Sequence, residues 1–141
     1  MVIDTSALVA VLLDEPDAAR IAEAIELASI RLLSSANFLE TAIVIESRKG
    51  EAGGRELDLL LYRTTIEVAP VDQDQAEVAR QAWRRYGKGR HPAGLNFGDV
   101  FAYALAKATG EPLLFKGQDF AQTDIPAVPV PEEPEAPSLC P

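Results

Sequence analysis

Four acidic residues occupy the positions in this 141-residue sequence where chemistry is most readily placed. Asp4 ends the opening apolar run Met1-Val2-Ile3. Glu40 lies near the start of a helical stretch, and Asp99 opens a second, strongly apolar one. Asp119 follows the run Leu113-Leu114-Phe115 across a short Lys116-Gly117-Gln118 loop. No Lys or Arg falls within four residues of Asp4, Glu40 or Asp99. Carboxylates brought together without a cationic partner repel one another, and burying any of them is costly. A hard divalent cation, Mg²⁺ or Mn²⁺, is the natural compensation, since it takes oxygen ligands from a few carboxylates and keeps water for a phosphate.

Such a constellation needs elements that deliver all four acids to one place. Met1–Ile3 reads as a buried strand, Ala7–Leu13 and Ala18–Ala28 as helices, and Ile30–Leu33 as a second strand. Asn37–Lys49 reads as a helix stopped by Gly50, with Gly53-Gly54 behind it, and Arg55–Arg63 as a further helix. Thr65–Val68 is the next strand, and Asp72 is suited to cap a helix over Gln73–Tyr86. Gly87–Phe97 is a loop, Gly98–Thr109 a buried helix closed by Gly110, Leu113–Phe115 a strand and Ala127–Val130 a last short one. Strands alternating with helices imply right-handed crossovers and a mostly parallel sheet covered on both faces. In open sheets of this kind, sites form at the carboxyl ends of the strands, where elements following strands begin. Glu40 has Ile43 and Val44 as its i+3 and i+4 neighbours, so its helix face is expected to be buried.

Composition narrows the classes. With 13 basic and 22 acidic residues the net charge is −9, and 48% of residues are hydrophobic, as in a folded domain. One domain is expected over residues 1–131, with a Pro- and Glu-rich, disordered tail over 132–141. The single cysteine, Cys140, excludes an internal disulfide or Cys-rich zinc site, and the single histidine, His91, excludes paired-His chemistry. The early apolar run Ala7–Leu13 is too short to span a membrane and lacks a basic leader, so a cytoplasmic location without membrane association is expected. A charge of −9 disfavours nucleic acid in general, yet Arg84, Arg85, Lys88 and Arg90 cluster just ahead of Asp99. Lys88 and Arg90, in the loop, are the better candidates for gripping a phosphate backbone; Arg84 and Arg85 also suit a solvated helix end.

Taken singly, each acid has a plain structural reading. Asp99 suits a helix N-terminus, Asp119 a turn, Asp4 a strand end that starts a loop, and Glu40 a solvated helix face. His91, before Pro92, reads as a loop residue.

Three segments together carry a family likeness. These are Met1-Val2-Ile3-Asp4-Thr5-Ser6-Ala7-Leu8, Asn37-Phe38-Leu39-Glu40, and the stretch from Gly87 through Asn96-Phe97-Gly98-Asp99 to Ala106, which continues into Leu113–Phe120 and Thr123-Asp124-Ile125. In this order and spacing the chain resembles the PIN domain ribonucleases, in particular the VapC-type toxins of bacterial toxin–antitoxin pairs. The resemblance implies a PIN-like three-layer α/β sandwich and an endoribonuclease with an acidic Mg²⁺ or Mn²⁺ site. By the same likeness Asp4, Glu40, Asp99 and Asp119 match the catalytic acids, with Asp4, Asp99 and Asp119 as metal ligands and Asp124 as the alternative fourth acid. Thr5 or Ser6 matches the hydroxyl that orients the first Asp, and Asn96 a polar residue beside the pocket, so Ser6 and Asn96 join Lys88 and Arg90 as candidate substrate contacts. A cognate antitoxin, an RNA substrate and a homodimer are the implied partners. Metal-assisted in-line displacement accounts for hydrolysis without a Cys or Ser nucleophile. Two other classes remain: a phospho-receiver-like domain, which leaves Glu40 and Asp99 unexplained, and a PIN-like scaffold without catalysis.

Overall fold

The computed structural model describes residues 1–130; residues 131–141, which include the expected tail and Cys140, lie outside the described residues. The chain runs β1 (Val2–Ile3), α1 (Thr5–Leu12), α2 (Ala18–Leu27), β2 (Leu32–Ser34), α3 (Ser35–Arg63), β3 (Glu67–Ala69), α4 (Gln73–Tyr86), α5 (Phe97–Thr109) and β4 (Leu113–Leu114), followed by a 3₁₀ turn at Phe120–Gln122. The four strands form one sheet in the order β3-β2-β1-β4, every pair parallel.

Period-two alternation in the strands divides the core into two layers of packing. Val2 and Leu113 face a cluster built with Ala79 and Ala82 of α4 and Val100, Tyr103 and Leu105 of α5. Their neighbours Ile3 and Leu114 face the opposite cluster, with Leu8 of α1, Ile21 and Ile25 of α2 and Leu57 of α3. The result is the three-layer α/β sandwich that the alternation of elements implied. Ile3, Leu8, Leu33, Leu113 and Leu114 are fully buried, each contributing roughly 1.5–3 kcal/mol of apolar transfer.

Three sequence expectations need correction. The first helical limb from Asn37 does stop at Gly50, which is non-helical at φ 66°, ψ −165°, but the second limb follows at once instead of starting at Arg55, so α3 is two limbs joined at a kink. That backbone region is open to glycine and poor for other residues, so Gly50 closes the first limb and turns the chain into the second. Gly53-Gly54 accordingly lie inside the second limb. The expected strand at Ala127–Val130 reduces to one parallel bridge between Ala127 and Leu113. And Ile43, expected to be buried beside Glu40, is 57% exposed, because α3 buries the stripe Asn37, Thr41 and Ile45 instead.

The strand order places β1 in the interior, with β2 on one side and β4 on the other. Chain progression reverses there, which opens a crevice outside the carboxyl ends of β1 and β4. Asp4 leaves β1 and the Lys116–Asp119 loop leaves β4, so the topology alone brings both to that crevice.

Candidate active site

Asp4 is the most constrained acid. It caps α1 and is only 3% exposed. Its Oδ2 accepts hydrogen bonds from the Ser6 amide at 3.0 Å and the Ser6 hydroxyl at 2.6 Å. Ser6 Oγ in turn accepts from the Lys116 amide at 3.0 Å, which ties the β1 and β4 exits together. The Asp4 Oδ1 atom is buried with no partner. Burial pushes the Asp4 carboxyl up from 3.8 to about 7; the Ser6 bonds pull it down, and the charges of Asp99 and Glu40 push it further up.

Asp99 sits in the first turn of α5 within a capping box. Its amide donates to Asn96 Oδ1 at 2.9 Å, and its Oδ2 accepts from the Asn96 amide at 3.0 Å. A helix N-terminus favours a negative charge, yet the Asp99 carboxyl is raised. Burial is the chief cause, joined by the charges of Asp119 and Glu40. The leading influences on Asp4 and Asp99 thus contain like charges and no cation.

Glu40 reaches the site through a gap left by a glycine. A Cβ on Gly98 would lie 2.0 Å from Glu40 Oε2, so the carboxylate fills the space a side chain would take. Asn37, fully buried one turn earlier on α3, holds this junction: its Nδ2 donates to the Gly98 carbonyl at 3.0 Å and lies 3.5 Å from Glu40 Oε1. The Asn37 Oδ1 atom is buried without a partner. Asn37 and Gly98 are the site residues that sequence reasoning missed. The Asn37-x-x-Glu40 spacing, one helical turn, was the signal that could have found Asn37; nothing local marks Gly98, whose partner lies 58 positions away.

Asp119 is exposed, precedes the 3₁₀ turn and makes no capping bond with its side chain. Asp124, the alternative fourth acid, lies elsewhere. It accepts from Tyr103 Oη at 2.6 Å and Lys107 Nζ at 2.8 Å, with Arg85 at 3.9 Å. Asp124 does not figure among the influences on Asp4 or Asp99, whereas Asp119 acts on Asp99. Of the candidate substrate contacts, Ser6 orients Asp4 and Asn96 is committed to capping α5. Arg90 lies 4.2 Å above the Trp83 ring. Lys88 borders an apolar hollow of about 550 Å³ between α4 and α5, lined by Trp83, Phe97 and Phe101 among others. His91 is a loop residue, its Nδ1 accepting from the Ala93 amide at 3.0 Å.

Among the described residues, no three acidic, histidine or cysteine side chains already stand close enough to hold a metal ion. The donor set nevertheless suits a hard divalent cation: all are carboxylates, one carboxylate oxygen is buried and unpartnered, and like charges act on Asp4 and Asp99. Glu40 is half-buried and Asp119 exposed, which leaves both the rotamer freedom to converge on an ion.

A parallel α/β sandwich with carboxylates gathered at the carboxyl edge of its central strands is the class that fold and site define. The chain belongs to the PIN domain family, which matches residues 1–126, and within it to the VapC ribonucleases. It is 63% identical over 131 residues to Ribonuclease VapC30 of Mycobacterium tuberculosis, covering 93% of this chain and 100% of that one. It is likewise 63% identical over 128 residues to Ribonuclease VapC of Mycolicibacterium smegmatis, covering 91% and 99%. Among solved structures, the sarcin-ricin loop cleaving toxin VapC20 of Mycobacterium tuberculosis superposes with a TM-score of 0.76 at 17% identity, covering 92% of this chain and 98% of that one. A toxin–antitoxin complex from Klebsiella pneumoniae gives 0.66 at 19% identity, covering 87% and 92%.

Proposed function

We propose that the protein is a Mg²⁺- or Mn²⁺-dependent endoribonuclease acting as the toxin of a toxin–antitoxin pair. The observation that carries this reading is Asp4: a buried carboxylate at a strand end, with one oxygen unpartnered and two like charges acting on it. Asp4, Asp99 and Asp119 would hold the ion, and Glu40 would position the attacking water or accept its proton. A bound divalent ion supplies charge neutralisation at the scissile phosphate and activation of water. The chain's own residues do the rest. Ser6 fixes the rotamer of Asp4, Asn37 and Gly98 fix the approach of Glu40, and the capping box fixes Asp99. Lys88 and Arg90 are the cations proposed to meet the RNA backbone.

The relatives named above support a ribonuclease toxin, and the Klebsiella pneumoniae complex supports an antitoxin as partner. An antitoxin arginine would suit the acidic crevice, since a guanidinium pairs bidentately with carboxylates. A homodimer and a cytoplasmic location belong to the same proposal. No helix among the described residues is long and apolar enough to cross a membrane.

The test is cleavage of a structured RNA by purified protein with Mg²⁺ or Mn²⁺, alongside EDTA, Asp4→Asn and Asp99→Asn controls. Metal-dependent cleavage lost in both variants is the expected result. Absence of both cleavage and Mn²⁺ binding would overturn the site and favour a scaffold.

A further inference from the structure

The segment that carries Asp119 is braced at both ends, and the far brace is built from charge. Asp119 opens a turn whose amides at Gln122 and Thr123 donate to the carbonyls of Asp119 and Phe120 at 3.4 and 3.0 Å. The Thr123 hydroxyl donates to the Phe120 carbonyl at 2.7 Å and accepts from the Ile125 amide at 3.3 Å. Phe120 is buried against Phe115, so the turn is a stiff unit seated on the core. Its outer end is fastened by Asp124 to Tyr103 and Lys107 of α5, with Arg85 of α4 at 3.9 Å. Tyr103 stands one helical turn after Asp99 on α5, so one rigid helix holds Asp99 directly and the Asp119 turn through Asp124.

We propose that Asp124 is a positioning residue, a charged clamp that holds Asp119 beside Asp99 against the mutual repulsion of the two acids. The proposal rests on the acidic-site reading given above. Left free, a loop acid would swing away from a like charge. The clamp instead spends one acid, fully compensated by a tyrosine hydroxyl and two cations, to keep another, uncompensated acid in place. Burial tends to raise the Asp124 carboxyl, but the bonds from Lys107 and Tyr103 outweigh it and hold the group below its ordinary range.

The experiment compares the full-length protein with Asp124→Ala, Asp124→Asn and Tyr103→Phe, each also combined with Asp119→Asn. Cleavage rates are measured across RNA and Mn²⁺ concentrations, with thermal melting to follow folding. Misplacing a reacting group by about 1 Å can cost roughly 100-fold in rate, so Asp124→Ala should lower kcat by about 10- to 100-fold. KM for RNA should stay within about two-fold, and half-maximal rate should require more Mn²⁺. Asp124→Asn and Tyr103→Phe should retain part of the activity. In the Asp119→Asn background the Asp124 and Tyr103 changes should add little further loss, as residues acting through one another do. Full additivity, or folded Asp124→Ala with unchanged kcat and Mn²⁺ dependence, would overturn the clamp. Absence of metal-dependent cleavage in the unmodified protein would instead overturn the acidic-site reading, and the clamp with it.

Discussion

Two acids of this chain meet opposite fates. Asp124 is satisfied within the chain: a tyrosine hydroxyl and two cations surround it, and its carboxyl lies below the usual range despite the burial that tends to raise it. Asp4, at the carboxyl end of β1, has only the Ser6 donors on one oxygen and none on the other, and burial pushes it to about 7. The same side-chain type is therefore a satisfied fastener in one place and an uncompensated acid in the other. Compensation, more than acidity, separates a structural carboxylate from a reactive one.

The widest break in that comparison comes from neutralising the uncompensated side. Asp4→Asn and Asp99→Asn should each lower metal-dependent RNA cleavage by about 1,000-fold or more, since a catalytic ion supplies several kcal/mol of transition-state stabilisation. Steady-state cleavage assays would register this. Asp124→Ala, by contrast, should cost no more than about 100-fold.

Stability should move in the opposite sense. A carboxyl held at about 7 against an ordinary 3.8 makes the folded protein bind more protons than the unfolded chain between those values. Metal-free stability therefore falls as pH rises from about 4 to about 7, by an amount on the order of 4 kcal/mol from Asp4 alone. In EDTA at about pH 8, Asp4→Asn should melt higher than the unmodified protein, by on the order of 10 °C. Calorimetric melting across pH would contradict this if the variant melted lower at every pH.

A narrower cut separates placement from charge. Gly98→Ala keeps every acid but puts a methyl where Glu40 Oε2 now lies. The end of a glutamate side chain can swing aside, so stability should change by no more than about 1 kcal/mol, while cleavage should fall about 100-fold. Circular-dichroism melts paired with kinetics would distinguish this from simple misfolding.

The smallest effect belongs to a paired surface cation. Lys116 bridges Glu15 at 3.1 Å and Asp17 at 3.2 Å, all partly exposed. Lys116→Met should leave thermal melting nearly unchanged, as loss of an exposed ion pair generally does. Only its amide, which donates to Ser6 Oγ, touches the site, and the substitution leaves that bond in place.

How much of this was legible from residues alone depended on the range of the interactions. The strand-ending Asp4, the place of Asp99 at a helix start and the boundaries of α4 are local, set by apolar runs and capping chemistry within a few positions, and they read directly from the chain, although the cap itself is Asn96. The helix end at Gly50 was legible because glycine after a helical run signals a stop, but the second limb begins ahead of Arg55 and takes in Gly53-Gly54, which had read as part of the break. The face of α3 was misphased. Its buried stripe is chosen by contacts with α5 and the sheet, not by its own hydrophobicity, and so Ile43 faces outward. The Glu40–Gly98 fit and the Asp124 clamp join distant positions, and only the folded chain brings them together.

The account stands or falls on whether the uncompensated acids take up a divalent ion. Calorimetric titration of Mn²⁺ into metal-stripped protein near pH 6.5 measures this directly, with Asp4→Asn compared against Glu77→Gln, which removes an equal charge from an acid already paired with Arg80. The expected result is binding by the unmodified protein and by Glu77→Gln, with a proton released as Asp4 ionises, and binding at least about 100-fold weaker in Asp4→Asn. Equal affinity in Asp4→Asn and the unmodified protein, or no proton release, would contradict it.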